Sequence, residues 1–248
     1  MAEAPLASFR LDGGAVAVTV TTPADVPRAI DALGLDVPRP VLVVVGGAGA
    51  LVDGDLARLQ PLFDEALLPV ADRLGAAVVD GGTRSGVMRA LGESRARAGA
   101  TVALVGVAVA GIVRVPDVGP PSDVVELEPH HTHFVLVPGT TWGEESPWLT
   151  LVARTLAGPL PSVTVVLNGG EITVSDVANS VAADRPVLVV DGSGRAADDL
   201  AAALNGAASD ERLHALAASG LLTVVPVGQP AALERALDAA LGAEGPDE

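Results

Sequence analysis

Apolar residues come in this chain as short unbroken runs rather than in alternation with polar ones. The clearest is Val41-Leu42-Val43-Val44-Val45, which closes on Gly46-Gly47-Ala48-Gly49. A β-branched run with no polar position fits a strand buried on both faces, as in a parallel sheet. Similar runs cover residues 76–79, 101–107, 133–137, 163–167, 186–190 and 222–225. Between them the spacing turns helical. Residues 23–33 place Val26, Ile30 and Leu33 on one face, and helical segments follow at 56–74, 85–98, 148–156, 172–183, 196–204, 213–218 and 231–241. Pro61 and Pro69 should bend or divide the 56–74 segment, and Gly99 should cap the 85–98 helix. Residues 6–11 and 15–20 read as a hairpin about Asp12-Gly13-Gly14, and residues 116–122 as a loop.

Strand, glycine turn and helix repeat along the chain. That pattern predicts an α/β fold: a Rossmann-like, doubly wound, mostly parallel sheet with helices on both faces. One domain is expected over residues 1–248: a hairpin and helix extension at 1–40, a core at 41–241 and a frayed tail at 242–248. Right-handed crossovers would gather the glycine turns at the carboxyl ends of the strands, where turns far apart in sequence line one crevice.

Composition narrows the chemistry. There is no Cys, and all 15 basic residues are Arg. Disulfides, thiolate metal sites, cysteine nucleophiles, a phosphate-binding lysine and a Schiff base are therefore excluded. The net charge of −16 disfavours nucleic acid and anionic lipid as partners. The first 14 residues do not form a signal peptide, and the longest mostly apolar stretch, 100–113, is short of the ~20 residues of a membrane span. A cytoplasmic protein without membrane insertion is expected.

Four stretches could carry chemistry. Asp80-Gly81-Gly82-Thr83-Arg84-Ser85-Gly86 joins a strand to a helix, where glycines admit a close ligand and amides with hydroxyls favour an anion. Asp191-Gly192-Ser193-Gly194-Arg195 has a similar place. Arg195 near a helix start opposes the dipole, a conflict that a bound anion would relieve. No acidic residue closes the strand after it, so a standard dinucleotide unit is not expected. His130-His131-Thr132-His133 lacks the further ligands of a metal centre, so its histidines read as structural or pocket-lining, and no metal is expected. Asn168-Gly169-Gly170-Glu171 through Asp176 offers two carboxylates, Glu171 and Asp176. They read either as favourable charges near a helix start or as acid/base groups. With the loops at Gly47 and at Gly139-Thr140, the candidate ligand contacts are Gly47, Gly81, Gly82, Thr83, Ser85, Gly86, Arg114, His131, His133, Gly139, Thr140, Gly169, Gly170, Gly192, Ser193, Gly194 and Arg195.

Several motifs occur together in order. They are Val44-Val45-Gly46-Gly47-Ala48, Asp80 through Met88 with Gly92-Glu93, Gly111-Ile112-Val113-Arg114, His131-Thr132-His133-Phe134, Asn168-Gly169-Gly170 and Asp191 through Asp198. As a set the chain resembles the prokaryotic LSDAT family of the SLOG superfamily, related to the N-terminal cytosolic region of melastatin-type TRP channels. The resemblance implies a Rossmann-like sensor of an NAD-derived or related nucleotide such as ADP-ribose, with Thr83, Ser85, Arg114 and Arg195 as contacts. Since the stretches offer no assured catalytic group, no catalysis and no certain cofactor are expected; the fold class is compatible with a homo-oligomer, and no downstream effector is named. A more distant similarity, to LOG-type phosphoribohydrolases, implies an N-glycosidase alternative. Asn168 to Asp176 matches the length of that family's P-G-G-x-G-T-x-x-E loop, with Asp176 in place of the glutamate.

Overall fold

The computed structural model describes residues 6–242 except 12, 50, 52, 115–124 and 208–209. The expected tail beyond 242 and the 116–122 loop lie outside these residues.

Among the described residues nine strands form one sheet in the order β1-β2-β6-β5-β4-β3-β7-β8-β9. They are β1 (Ser8–Arg10), β2 (Val16–Thr19), β3 (Val41–Gly46), β4 (Ala77–Asp80), β5 (Leu104–Val109), β6 (His133–Val137), β7 (Ser162–Leu167), β8 (Val187–Asp191) and β9 (Leu222–Pro226). All pairings are parallel except β1 with β2. The hairpin is part of the sheet: β2 runs beside β6, with Val16 opposite His133. Strand order reverses between β3 and β7, the switch point at which doubly wound sheets open a crevice.

The helices are α1 (Val26–Leu33), α2 (Asp53–Leu62), α3 (Leu68–Arg73), α4 (Gly86–Ala98), α5 (Ser146–Ala157), α6 (Glu171–Ala182), α7 (Arg195–Leu204), α8 (Glu211–Ala217) and α9 (Pro230–Leu241). Alternate residues of each central strand feed two cores. Val41, Val43 and Val45 pack with Leu149, Val152, Val177 and Leu200 on one side, while Leu42 and Val44 pack with Phe63, Leu91 and Leu237 on the other. This double burial is why the strands read as continuous apolar runs.

The expected division of the 56–74 segment has a specific form. Between α2 and α3 lies a π-helical turn, Phe63–Leu67, in which the Leu68 amide donates to the Phe63 carbonyl. Pro69 follows directly; it lacks an N–H and its ring crowds the carbonyl four residues back, and the wider turn accommodates both. Several boundaries differ from expectation, two of them beside the site. The third core strand spans Leu104–Val109 rather than 101–107, because Val109 pairs with Val137. Helix α5 begins at Ser146, two residues early, with Pro147 in its first turn.

Near the site the sheet is packed to backbone contact. A Cβ on Gly106 would lie 2.6 Å from both the Gly82 Cα and the Phe134 ring. Gly106→Ala should therefore cost about 1–3 kcal/mol through overpacking, read as a lower urea midpoint at unchanged slope.

Candidate functional site

The carboxyl ends of β3, β4, β5 and β7 surround a crevice of about 350 Å³. Its floor is apolar, with Val44, Val45, Val107, Val109 and Leu149. Its polar lining is Thr83, Glu145, Glu171, Thr173, Asp176 and Arg195, and Trp142 and Ile172 stand at its edge as exposed apolar residues. A second, more polar hollow of about 460 Å³ runs outward between α6, α7 and α8, lined by Asp199, Asp210 and Arg212 among others. Gly170, Glu171 and Arg195 border both, so the two hollows form an inner and an outer lobe meeting at those residues.

Of the candidates read from sequence, Gly47, Gly81, Thr83, Gly170, Glu171, Asp176 and Arg195 line the inner lobe, and Gly169 lines the outer one. The others lie elsewhere. Gly82 packs on Gly106 and Phe134, and Gly86 lies beneath the Gly47 and Ala48 carbonyls. The Ser85 hydroxyl is 3.1 Å from that of Thr83. Arg114 is exposed, its amide donating to Val125. The amides of Thr140 and Thr141 donate to Glu144, which holds the loop that contains Gly139.

Where the amides of the glycine turns go, and where a cation stands beside them, decides which turn can hold an anion. At α4 the Val87 amide donates to the Gly47 carbonyl, while the amides of Gly86 and Met88, like those at α6, find no acceptor among the described residues. At α7 the Ala196 and Ala197 amides donate to Gly169 and Asn168, and Asp198 accepts from Gly192 and Gly194. Asn168, buried and at φ 60°, donates its side-chain amide to the Ser193 carbonyl, while its own backbone N–H donates to the Ser193 hydroxyl. The β7 and β8 turns are thereby joined, and Ser193 serves that joint. At α6 the Thr173 hydroxyl accepts from Gly170, but the amides of Glu171 and Ile172 find no acceptor among the described residues. Unpaired first-turn amides at the positive end of a helix are an anion site.

Arg195 completes it. Its guanidinium lies over Gly170, where a Cβ would sit 3.0 Å from Nη2, and it forms no ion pair or side-chain hydrogen bond among the described residues. Its backbone is left-handed, φ 52°, a conformation that costs a residue with a side chain roughly 1–3 kcal/mol and concentrates at functional sites. Arg212, in contrast, is committed to Glu171 at 2.9 Å and Asp210 at 2.7 Å.

Deeper in the inner lobe, burial pushes the Asp176 carboxyl up to about 7; the nearby Ser146 tempers the rise and the Glu145 charge adds to it. Glu145 is raised too, chiefly by burial. Reading from sequence missed Glu145, while Trp142 stands out there as one of few aromatics near the glycine turns. The available signal was the Glu144-Glu145-Ser146-Pro147 string, acids and a proline at a helix start.

The histidines stand apart from the crevice. His131 is fully buried, with Nε2 2.8 Å from Asp80 and Nδ1 2.8 Å from Glu128. Two carboxylates facing both ring nitrogens require an imidazolium. Burial opposes that charge, but Asp80 and Glu128 outweigh it and raise the pKa to about 9. Asp80 also accepts from the Gly82 amide at 2.7 Å, so the cluster anchors the turn that carries Thr83. His133, at the opposite end of β6 from the crevice, is lowered to about 4 by burial and then by Arg39 and Arg95.

His131 makes stability depend on pH. Its stabilisation is complete below the ordinary histidine pKa near 6.5 and is lost as pH rises through about 9. The loss should reach on the order of 3 kcal/mol in urea unfolding measured across that range. The chain has no Cys, Tyr or Lys to obscure it. In His131→Gln the dependence should flatten.

With this geometry in place, comparison with known proteins gives the family. The family model described as "SLOG in TRPM, prokaryote" matches residues 39–235. Transient receptor potential cation channel subfamily M member 2 of Mus musculus is 31% identical over 205 residues, covering 68% of this chain and 13% of the channel. The subfamily M member-like 2 channel of Nematostella vectensis is 30% identical, covering 69% of this chain and 13% of its own length. The trpm channel of Drosophila melanogaster is 32% identical, covering 67% and 10%. The chain thus spans a small fraction of these relatives. Among its described residues no helix is long and apolar enough to cross a membrane. The matched region holds the switch-point crevice, the α6 turn and Arg195, and the chain belongs to the SLOG-in-TRPM family of prokaryotes.

Proposed function

We propose that the protein is a nucleotide-binding sensor or regulatory module that holds an NAD-derived or related nucleotide, such as ADP-ribose, and performs no chemistry of its own. The observation that carries this reading is the meeting of an unpaired guanidinium with the free first-turn amides of α6 at the junction of two lobes. A phosphate or pyrophosphate fits that junction: two amides, a helix dipole and a bidentate arginine favour it despite the acidic chain around it. The apolar inner lobe with Trp142 at its edge suits a base, and the polar outer lobe suits a sugar. The inner volume is within the ~300–1,000 Å³ of small-molecule sites.

Titration calorimetry with ADP-ribose, cyclic ADP-ribose, NAD and AMP tests the reading. At least one should bind tighter than millimolar, and at 100 times its dissociation constant should stabilise the fold by about 2.7 kcal/mol. Arg195→Ala should weaken it about 10- to 100-fold, the worth of a charge-assisted hydrogen-bond pair, while Arg114→Ala should leave it unchanged. If none of the four binds, the reading fails.

A second reading, nucleotide N-glycosidase activity, is favoured by one observation: Asp176 is a half-buried carboxyl raised to about 7 inside the crevice. As base it would take a proton from water; the water oxygen would bond to C1′ of the ribose, and the C1′–N bond would break with its electron pair leaving on the base. Glu171 suits this role less, since it is exposed and paired with Arg212. Chromatography of nucleoside monophosphates incubated with the protein should reveal free base that disappears in Asp176→Ala if this reading holds.

A further inference from the structure

We infer, building on the nucleotide reading above, that the inner lobe selects a positively charged planar base, so that the ligand class is an N-ribosylated pyridinium nucleotide in its oxidised form. The lining of the lobe is apolar apart from Thr83, Thr173 and a few charged groups, and those are unbalanced. Glu145 and Asp176 lie inside, with no ion pair to either among the described residues. Glu145 accepts one backbone bond, from Gly143 at 2.9 Å. Beside Asp176 the buried Ser146 hydroxyl completes no well-formed hydrogen bond. Glu171 is neutralised by Arg212, and Arg195 is the one lining cation, placed at the junction with the outer lobe.

Two carboxyl groups in an apolar crevice are costly to ionise together, which is why burial and mutual repulsion raise Asp176. A cationic ring placed among them removes that cost. A neutral base leaves it in place, and a base bearing its own carboxylate adds to it. Trp142, 45% exposed at the edge of the same lobe, offers the aromatic face on which a cationic ring gains further. A phosphate on the ribose of such a nucleotide would then reach the α6 amides and Arg195. The two ends of the ligand are thus recognised by opposite charge: carboxylates for the base, guanidinium and helix dipole for the phosphate.

The test is a pair of ligands that differ chiefly in ring charge, nicotinamide mononucleotide and its reduced form, titrated by calorimetry into the full chain beside AMP and ADP-ribose. The oxidised form should bind at least about tenfold tighter than the reduced form. In the double variant Glu145→Gln/Asp176→Asn the preference should shrink to about twofold or less, with no loss of melting temperature, because isosteric amides remove two uncompensated charges. In a Trp148→Phe chain, where Trp142 is the remaining tryptophan, the oxidised mononucleotide should quench fluorescence. The reduced form or AMP binding as tightly as the oxidised form would overturn the inference and leave the nucleotide reading standing. So would a preference that survives in the double variant. If no nucleotide binds, the nucleotide reading itself fails and the inference goes with it.

Discussion

The reversal of strand order between β3 and β7 is the constraint on which the rest depends. Crossovers from β3 through β5 wind outward in one direction, and those from β7 through β9 in the other. Helices that follow β3 and β7 therefore depart from each other, and the space above the two strands stays open. The register keeps the strands close below it: Gly46 pairs with Leu167, and a Cβ on Gly46 would collide with the Leu167 carbonyl. Tight backbone contact beneath and divergence above turn an apolar sheet edge into a walled crevice.

Given that opening, hydrogen-bond accounting together with the one lining cation selects the part that suits an anion. Each helix start at the carboxyl edge presents orphan amides. At α4 Gly47 supplies one acceptor, for Val87, and at α7 the neighbouring turn supplies two, Asn168 and Gly169. The Asn168–Ser193 joint that supplies the second set also brings Arg195 over Gly170. α6 and α4 both keep open first-turn amides, and the turn that takes up two α7 amides aims the lining cation at α6. On the far wall the Asp80–His131–Glu128 cluster holds the β4 turn by a buried charge network, an arrangement costly to break because any one partner removed leaves the others uncompensated.

Much of the fold was legible because burial on both faces leaves its mark in the residues themselves. Residues 41–45 read as a strand buried on both faces and residues 133–137 as a strand, and both are strands of the sheet. Where the apolar run is longer than the strand, as at 100–113, phase disappears and pairing with β6 sets the ends. Pro69 announced an interruption without revealing a π turn, since either a kink or a wider turn satisfies a missing amide. Arg195 could be singled out because its charge opposes the dipole beside it. Which amides of the glycine turns stay free could not, since acceptors such as Gly47 and Asn168 arrive from distant turns. Glu145 escaped notice because its carboxyl acquires meaning beside Asp176, 31 positions later in the chain. His131 was expected to be structural or pocket-lining, and its carboxylate partners come from β4 and the segment before β6.

The central claim is that the ligand's phosphate is held at the first turn of α6 beneath Arg195. Amide chemical shifts of the isotope-labelled protein, followed while ADP-ribose is added, test it most directly. The account predicts the largest perturbations at the Glu171 and Ile172 amides, with the Arg195 side chain shifting in step. Perturbations concentrated at the Gly81 to Met88 turn or at Gly192 to Ala197, with α6 silent, would contradict it.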